Sequence, residues 1–248
     1  MRFRAAAIAA LFILTAFPLS AQERASREAP LQELFITSLP YIQLPGEVQL
    51  TLRADRVAGA LNTGGAIELG LGRGIQLGVE VEPASFEEGN GARPLEIEAM
   101  GRIAGDEDSR ALAAFGIGAF TQLGAGRQRA SGLGATLSGL TRLGPVLGVT
   151  ALEAERQLWG SSLEEEGTEV SASLGVMAPF HAFVLSGEVQ SELGDGERRW
   201  ATGLTWHVLE SIELASGLIA ERAERRFVVA ITWEAGGDGD ESAARRSR

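Results

Sequence analysis

The sequence predicts an all-β protein, an antiparallel up-and-down transmembrane β-barrel of about 12 strands. Two observations predict the strands: from residue 46 onward apolar and polar residues alternate in short runs, and turn signals separate the runs. A third observation concerns the membrane. No stretch after residue 21 has the ~18 consecutive apolar residues of a spanning helix, so a chain that crosses a bilayer must here cross it as a closed barrel.

The first 21 residues have the pattern of a secretory signal peptide. Arg2 and Arg4 precede an apolar run from Ala5 to Phe17, and small residues end the pattern at Ala21. The apolar run is too short to span a bilayer comfortably, which disfavours a membrane anchor. We therefore expect cleavage after Ala21 and export of the remaining chain.

The pattern divides the chain into four parts. Residues 1–21 are the expected signal peptide, and 22–45, whose end is broken by Pro40 and Pro45, are an expected periplasmic lead-in to a barrel over 46–234. We expect 235–248 to be a disordered polar tail, because this segment has too little apolar area to bury. The predicted strands are 46–56, 65–72, 75–83, 94–104, 111–122, 132–142, 145–155, 168–178, 181–191, 198–208, 210–221 and 225–234.

The predicted connections indicate a meander with two unlike ends. Those after even-numbered strands are short, as at 73–74 and 143–144, whereas those after odd-numbered strands are mostly longer and more polar, as at 82–94 and 156–169. Membrane barrels have short periplasmic turns and longer loops at the cell surface. A soluble sandwich or a soluble periplasmic ligand-binding barrel, the alternatives for such strands, has no reason to alternate in this way.

Aromatic residues lie near both ends of two predicted strands. Trp200 and Trp206 share one face of the tenth strand, and Phe227 and Trp233 share one face of the twelfth. Six residues of strand cover about 20 Å, so each pair brackets an aliphatic band, as the two aromatic girdles of a membrane barrel require. The alternative is that these side chains form the core of a soluble fold.

The signal peptide, the absence of cysteine, the amphipathic strands and the final FVVAITW strand together resemble a bacterial outer-membrane β-barrel protein. The opening LFITSLPYIQLPGEVQLTL at 34–52 further resembles outer-membrane transporters of the phenol-degradation meta-pathway type, in which a proline-containing lead-in ends in a glycine. The resemblance implies a small passive pore in the Gram-negative outer membrane. Its expected partners are outer-membrane lipid and lipopolysaccharide, small solutes and the barrel assembly machinery.

The face opposite the aliphatic residues is acidic, and we expect it to line the lumen. Charges inside a pore select ions of the opposite sign, so the sequence predicts a passive pore that prefers cations. The alternative is a structural barrel whose closed lumen is filled by arginine–glutamate pairs. The pore-lining candidates are Arg53, Asp55, Glu68, Glu80, Glu82, Glu96, Glu98 and Arg102.

Composition excludes several classes of site. The absence of cysteine excludes disulfides and lipoprotein attachment. All 22 basic residues are arginine, which excludes a P-loop lysine or a Schiff-base lysine. A net charge of -11 argues against nucleic acid as a partner, and we expect no cofactor.

An embedded enzyme is the remaining alternative to a pore. Such a site needs a histidine beside a serine or beside paired carboxylates, and the chain has only His181 and His207, both next to predicted short turns. Neither lies in a His-x-Ser arrangement, and GATLSGL at 134–140 is not a nucleophile elbow. With no cysteine, a zinc site is not expected either. The sequence therefore predicts a protein that is not an enzyme.

Overall fold

A computed structural model of the chain describes residues 34–57, 60–81, 93–105, 109–123, 131–159, 168–194, 196–209 and 211–236. These residues form a closed antiparallel barrel of twelve strands, so the predicted fold class is confirmed. The strands are β1 (Val48–Val57), β2 (Ala60–Gly72), β3 (Ile75–Val81), β4 (Arg93–Ala104), β5 (Ala111–Leu123), β6 (Ser131–Leu143), β7 (Val146–Trp159), β8 (Thr168–Phe180), β9 (Phe183–Glu192), β10 (Arg198–Leu209), β11 (Ile212–Glu221) and β12 (Glu224–Ala235). Within the described ranges no helix is both long and apolar enough to cross a membrane.

The barrel closes between its first and last strands. Each strand pairs antiparallel with its neighbours in the chain, and β12 pairs with β1 from Val48 opposite Ala235 to Arg56 opposite Phe227. This pairing removes the two edges that an open sheet would expose. Ala235, predicted to begin the polar tail, is therefore the last residue of β12, and the tail after residue 236 lies outside the described residues, as do the expected signal peptide and residues 22–33.

The largest difference from the predicted boundaries is the start of β2. The second strand is predicted to begin at Gly65, whereas β2 begins at Ala60. The ladder between β1 and β2 continues from Leu52 opposite Gly65 to Val57 opposite Ala60, and Gly65 also pairs with Val81 on β3. A glycine weakens a strand locally, but pairing on both sides keeps this one in the sheet.

Aliphatic side chains cover the outside of the barrel. Leu52, Ile67 and Leu174 are 54%, 53% and 59% exposed, whereas Gln49 and Asp55, on the opposite face of β1, are 2% and 1% exposed. A small water-soluble barrel fills its interior with apolar side chains, and soluble monomers rarely expose large continuous apolar surfaces. The inverted arrangement seen here is the one that membrane barrels adopt.

The two ends of the barrel differ. At one end, here called the short-turn end, the chain enters β1 and leaves β12, and two residues join β2 to β3, β6 to β7, β8 to β9 and β10 to β11. At the opposite, long-loop end, the β1–β2 and β11–β12 connections also have two residues, but the other four are longer, at 82–92, 124–130, 160–167 and 193–197. The β4–β5 connection, 105–110, lies at the short-turn end and has six residues, so the predicted difference in length fails there and beside the β1–β12 closure.

Candidate pore and the segment inside it

Residues 34–45, here called the inner segment, lie inside the barrel. Phe35, Leu39 and Ile42 are buried, and they pack against inward-facing side chains of different strands. The sequence predicted a periplasmic lead-in over 22–45, but its described part lies in the lumen. The physical reason is that these apolar side chains lose contact with water only if the barrel wall surrounds them.

Small residues on two strands make room for Phe35. Its ring lies against Gly203 on β10 and Gly217 on β11, and a Cβ atom on Gly217 would lie 2.6 Å from the ring's Cζ. The buried side chains of Ala215 and Val228 complete the pocket. Since a side chain at either glycine would occupy the position of the ring, this part of the lumen is shaped to hold Phe35.

Glu188 on β9 binds the start of the inner segment. Its Oε1 accepts a hydrogen bond from the Phe35 N–H at 2.8 Å, and its Oε2 accepts one from the Ile36 N–H at 2.9 Å. Glu188 is 5% exposed, so these bonds form away from bulk water, where leaving the amides without acceptors would be costly. Two consecutive backbone groups are thereby fixed to one side of the barrel.

A second glutamate holds the middle of the inner segment. The Ser38 hydroxyl donates to Glu153 Oε1 on β7 at 2.8 Å. Glu153 Oε2 accepts from the Ser171 hydroxyl at 3.3 Å and from Gln190 Nε2 at 3.2 Å. Hydrogen-bonded polar side chains therefore connect the segment to β7, β8 and β9. Alternation in the sequence does not single out Glu153 or Glu188, because nothing in it indicates that a chain segment lies opposite them.

Two glutamines and Glu68 hold the last part of the inner segment. The Gln43 N–H donates to Gln76 Oε1 at 2.9 Å, and Gln43 Nε2 donates to Gln49 Oε1 at 2.7 Å and to Glu68 Oε2 at 3.3 Å. Gln76 Nε2 also donates to Glu68 Oε2, at 2.7 Å. Glu68, a pore-lining candidate, is thus an acceptor for the inner segment and faces the lumen from β2.

The chain leaves the lumen through a tight turn at the short-turn end. The Leu44 N–H donates to Glu47 Oε2 at 2.7 Å, and the Gly46 N–H donates to the Gly70 carbonyl of β2 at 2.8 Å. Gly46 has a φ of 75°, a left-handed conformation that glycine adopts without steric strain. The inner segment is therefore joined directly to the barrel wall before β1 begins.

Four glutamates form one wall of the lumen, here called the acidic wall: Glu68, Glu80, Glu96 and Glu98. Glu80 on β3 lies opposite Glu96 on β4, while Glu68 and Glu98 both lie opposite Gly78. Like charges directly opposite one another repel, so a cation in the lumen would be stabilised beside them. The structure brings these predicted residues together on three adjacent strands.

Arg53, one of the two arginines predicted to pair with the acidic wall, does not pair with it. Arg53 faces the lumen from β1, opposite Gly64 and Ala230, and it forms no ion pair with another described residue. Arg102 lies near the short-turn end, where its backbone N–H donates to the Gly74 carbonyl at 2.8 Å. Arg53 and the acidic wall therefore do not form the arginine–glutamate filling that a closed structural barrel would use.

Asp55 is occupied by neighbouring strands. Its Oδ1 accepts a hydrogen bond from Asn62 Nδ2 at 2.9 Å, and its Oδ2 lies 3.5 Å from Arg226 Nη1 on β12. Asp55 thus contributes less to the lumenal charge than the acidic wall does, because Arg226 offsets it. Glu82, the last pore-lining candidate, lies outside the described residues.

The four aromatic candidates all face outward. Trp200 and Phe227 lie toward the long-loop end and are 56% and 53% exposed, while Trp206 and Trp233 lie toward the short-turn end and are each 44% exposed. The structure therefore places them at two levels of the barrel, with exposed aliphatic side chains such as Val229 between the levels.

An aromatic stack at the short-turn end was missed by the sequence analysis. The Phe183 ring stacks on Phe180 with centroids 5.9 Å apart and on Trp206 with centroids 6.1 Å apart. These three residues lie on three different strands and are partners in the register. Only the strand pairing brings them together, since Trp206 is distant in sequence from the β8–β9 turn.

Several solved structures share this architecture at low sequence identity. The KdgM porin is 12% identical with a TM-score of 0.58, covering 75% of this chain and 98% of that chain. The COG4313 outer membrane channel from Pseudomonas putida is 9% identical with a TM-score of 0.56, covering 83% and 100%. The protein has the fold of an outer-membrane β-barrel. An active-site mutant of outer membrane phospholipase A from Escherichia coli shares the same barrel, at 12% identity and a TM-score of 0.52, covering 88% and 98%. No protein-family model and no curated protein matches the chain.

Both histidines of this outer-membrane barrel lie at the short-turn end. His207 Nδ1 lies 2.7 Å from Glu213 Oε1, and the Glu213 side chain is fully buried in the barrel. His181 is exposed in the turn between β8 and β9. Among the described residues there is no group of three or more His, Cys, Asp or Glu side chains that could hold a metal ion. The one histidine that meets a carboxylate is thus directed away from lipid.

Proposed function

We propose that this barrel is a passive channel of the Gram-negative outer membrane that admits small solutes and prefers cations. The observation that carries the proposal is the combination of an apolar outer belt with an inward-facing acidic wall that lies beside the inner segment. The shared fold with porins and outer-membrane channels supports a pore. A barrel of this kind separates lipid from a polar interior.

The inner segment limits the size of the solute. It passes from Glu188 on β9 to Gln76 on β3, on opposite sides of a twelve-stranded barrel, and so divides the half of the lumen nearest the short-turn end. Twelve strands already enclose far less room than the wide 16- to 18-stranded porins. A solute that passes the inner segment must therefore be an ion or a small polar molecule.

The charge of the lumen favours cations. Across the ladders of β2 to β5, Glu80, Glu96 and Glu98 lie opposite apolar residues, glycines or each other, and Arg226 on β12 is engaged with Asp55. A cleft lined by one sign of charge raises the local concentration of counter-ions. Cations should therefore enter more readily than anions of equal size.

Reversal potentials in planar bilayers under a salt gradient test this proposal. We expect the wild-type protein to prefer cations and the double variant Glu80→Gln/Glu96→Gln to lose much of that preference, because glutamine keeps the size of the side chain and removes its charge. The comparison variant Glu169→Gln/Glu224→Gln removes two exposed carboxylates at the long-loop mouth, on the lumen-facing side of β8 and β12. It should reduce the cation preference less, because water and salt screen exposed charges more strongly. Anion preference in the wild type would contradict the charge assignment, and the absence of any conductance would favour a closed structural barrel.

A further inference from the structure

Three exposed arginines form a patch on the outer face of the barrel at the long-loop end. The patch consists of Arg198 on β10, Arg222 just after β11 and Arg225 on β12. Trp200, Ala220 and Arg225 are successive partners across the three strands, and Arg198 lies two residues from Trp200 on the same face. The three guanidinium groups therefore project from neighbouring strands around one tryptophan.

A depression in the surface lies between these side chains. It is open to solvent, has a volume of about 620 Å³ and is lined by Gly196, Glu197, Arg198, Trp200, Ala220 and Arg222. Its lining combines the apolar Trp200 and Ala220 with the charged Glu197, Arg198 and Arg222. A headgroup that carries both a ring and an anionic substituent fits such a surface, because the ring packs on Trp200 while the anion meets the arginines.

The patch carries positive charge that the described protein does not neutralise. Arg222 forms an ion pair with Glu197, whereas Arg198 and Arg225 form no ion pair with any described residue. The chain as a whole has a net charge of -11, so a concentration of arginine on one face departs from the general composition. Two exposed arginines are therefore available for an external anion.

The height of the patch places that anion at the membrane surface. Trp200 and Phe227 lie at the aromatic level of this end, and the exposed aliphatic side chains of Leu204 and Val229 lie on the other side of that level. Tryptophan concentrates at the level of lipid headgroups. Arg198 and Arg225 lie farther from the aliphatic belt than the aromatic rings, at the depth where lipid phosphate groups occur.

We propose that Arg198 and Arg225 bind the phosphate groups of the phosphorylated glycolipid in the outer leaflet. The proposal rests on the proposed outer-membrane location, which turns the long-loop end toward the cell surface. Arginine suits this ligand because its planar guanidinium group forms paired hydrogen bonds with phosphate oxygens. The sugar rings of the glycolipid pack on Trp200 in the depression.

The test measures the binding of diphosphoryl lipid A to the purified protein. The protein is extracted from outer membranes in mild detergent, stripped of lipid and titrated with diphosphoryl lipid A. Native mass spectrometry then gives the apparent affinity. We expect Arg198→Gln/Arg225→Gln to bind about thirtyfold more weakly than wild type, since each basic residue near an anionic membrane surface contributes roughly fivefold in affinity. The matched control Arg73→Gln/Arg110→Gln, at the short-turn end, should bind as wild type does.

Three results would overturn the proposal. The first is that the Arg198→Gln/Arg225→Gln variant binds diphosphoryl lipid A as tightly as wild type does. The second is that the wild type binds lipid A without phosphates as tightly as diphosphoryl lipid A. The third is that it binds phosphatidylglycerol equally tightly, which would indicate a general site for anionic lipid. Folding of each variant is checked by its shifted migration on unheated gels. Conductance of the same variants distinguishes this proposal from the proposed channel function. A variant that loses lipid A binding but keeps the wild-type conductance has lost only the lipid site.

Discussion

The Glu188 carboxylate accepts hydrogen bonds from the backbone of Phe35, 153 residues away in sequence, and from the next residue, Ile36. One side chain on β9 therefore fixes the start of the inner segment. The phenyl ring that follows this amide fills a pocket made by two glycines on β10 and β11. The position of the inner segment at this level thus depends on one carboxylate and one aromatic ring.

Replacing Glu188 by glutamine should loosen the inner segment. Glutamine offers one acceptor oxygen, so either the Phe35 or the Ile36 N–H would face an NH₂ group and lose its bond. Leaving one buried donor without an acceptor costs about 1–3 kcal/mol, which corresponds to a roughly 5- to 150-fold larger population of released segment. We expect faster hydrogen exchange at residues 35–37 and larger single-channel conductance, neither of which should appear in Glu169→Gln.

Adding one methyl group at Gly217 should displace Phe35. A Cβ atom there would lie within 2.6 Å of the ring, whereas a Cβ at Gly187 has no atom within 4 Å. Overpacking of this kind costs about 1–3 kcal/mol, so Gly217→Ala should raise the conductance while the barrel stays folded. Gly187→Ala is the matched control, and equal conductance of the two variants would show that Phe35 does not limit the pore.

A charge on the outer belt should impair assembly according to its depth. Val229 lies on the outer face between the two aromatic levels and is 42% exposed. An arginine at the bilayer midplane costs roughly 2–4 kcal/mol, compared with about 0–1 near the interface. Val229→Arg should therefore lower the folded fraction on unheated gels far more than Leu61→Arg, near the long-loop end. Equal yields, or recovery of the wild type in the soluble periplasm, would contradict a membrane barrel.

The cation preference should fade as the salt concentration rises. The screening length falls from about 10 Å at 0.1 M to about 3 Å at 1 M, so at high salt Glu80 and Glu96 act only on ions in direct contact with them. The permeability ratio of potassium to chloride should therefore approach the ratio of their mobilities at high salt. A ratio that does not change with salt would indicate that size, and not the acidic wall, selects the ions.

Deleting residues 237–248 should leave the barrel folded. The deletion ends the chain after Gly236 and preserves β12, including the pairing of Ala235 with Val48. The removed segment has too little apolar composition to contribute a core. We expect the same folded fraction on unheated gels as for the full chain, and a loss of folded barrel would show that the tail supports the closure of the sheet.

The sequence by itself determined the strands and their faces. Alternation with a period of two is a local property, so it predicted all twelve strands and placed Trp200 and Phe227 on the face that the structure turns outward. It failed at Gly65, where pairing on both sides overrides a weak local preference. Alternation also grouped Glu80 with Glu96, because adjacent strands of a meander are neighbours in the sheet.

Only the tertiary structure decided what fills the lumen. The contacts of Phe35 with Gly203 and of Ser38 with Glu153 join residues more than a hundred positions apart, and no periodic pattern specifies which side chains meet across a barrel. The inner segment lacks strand periodicity, so the sequence placed it outside. Its position follows from the burial of its apolar side chains and the pairing of its backbone amides with inward-facing carboxylates, and both exist only after the barrel has closed.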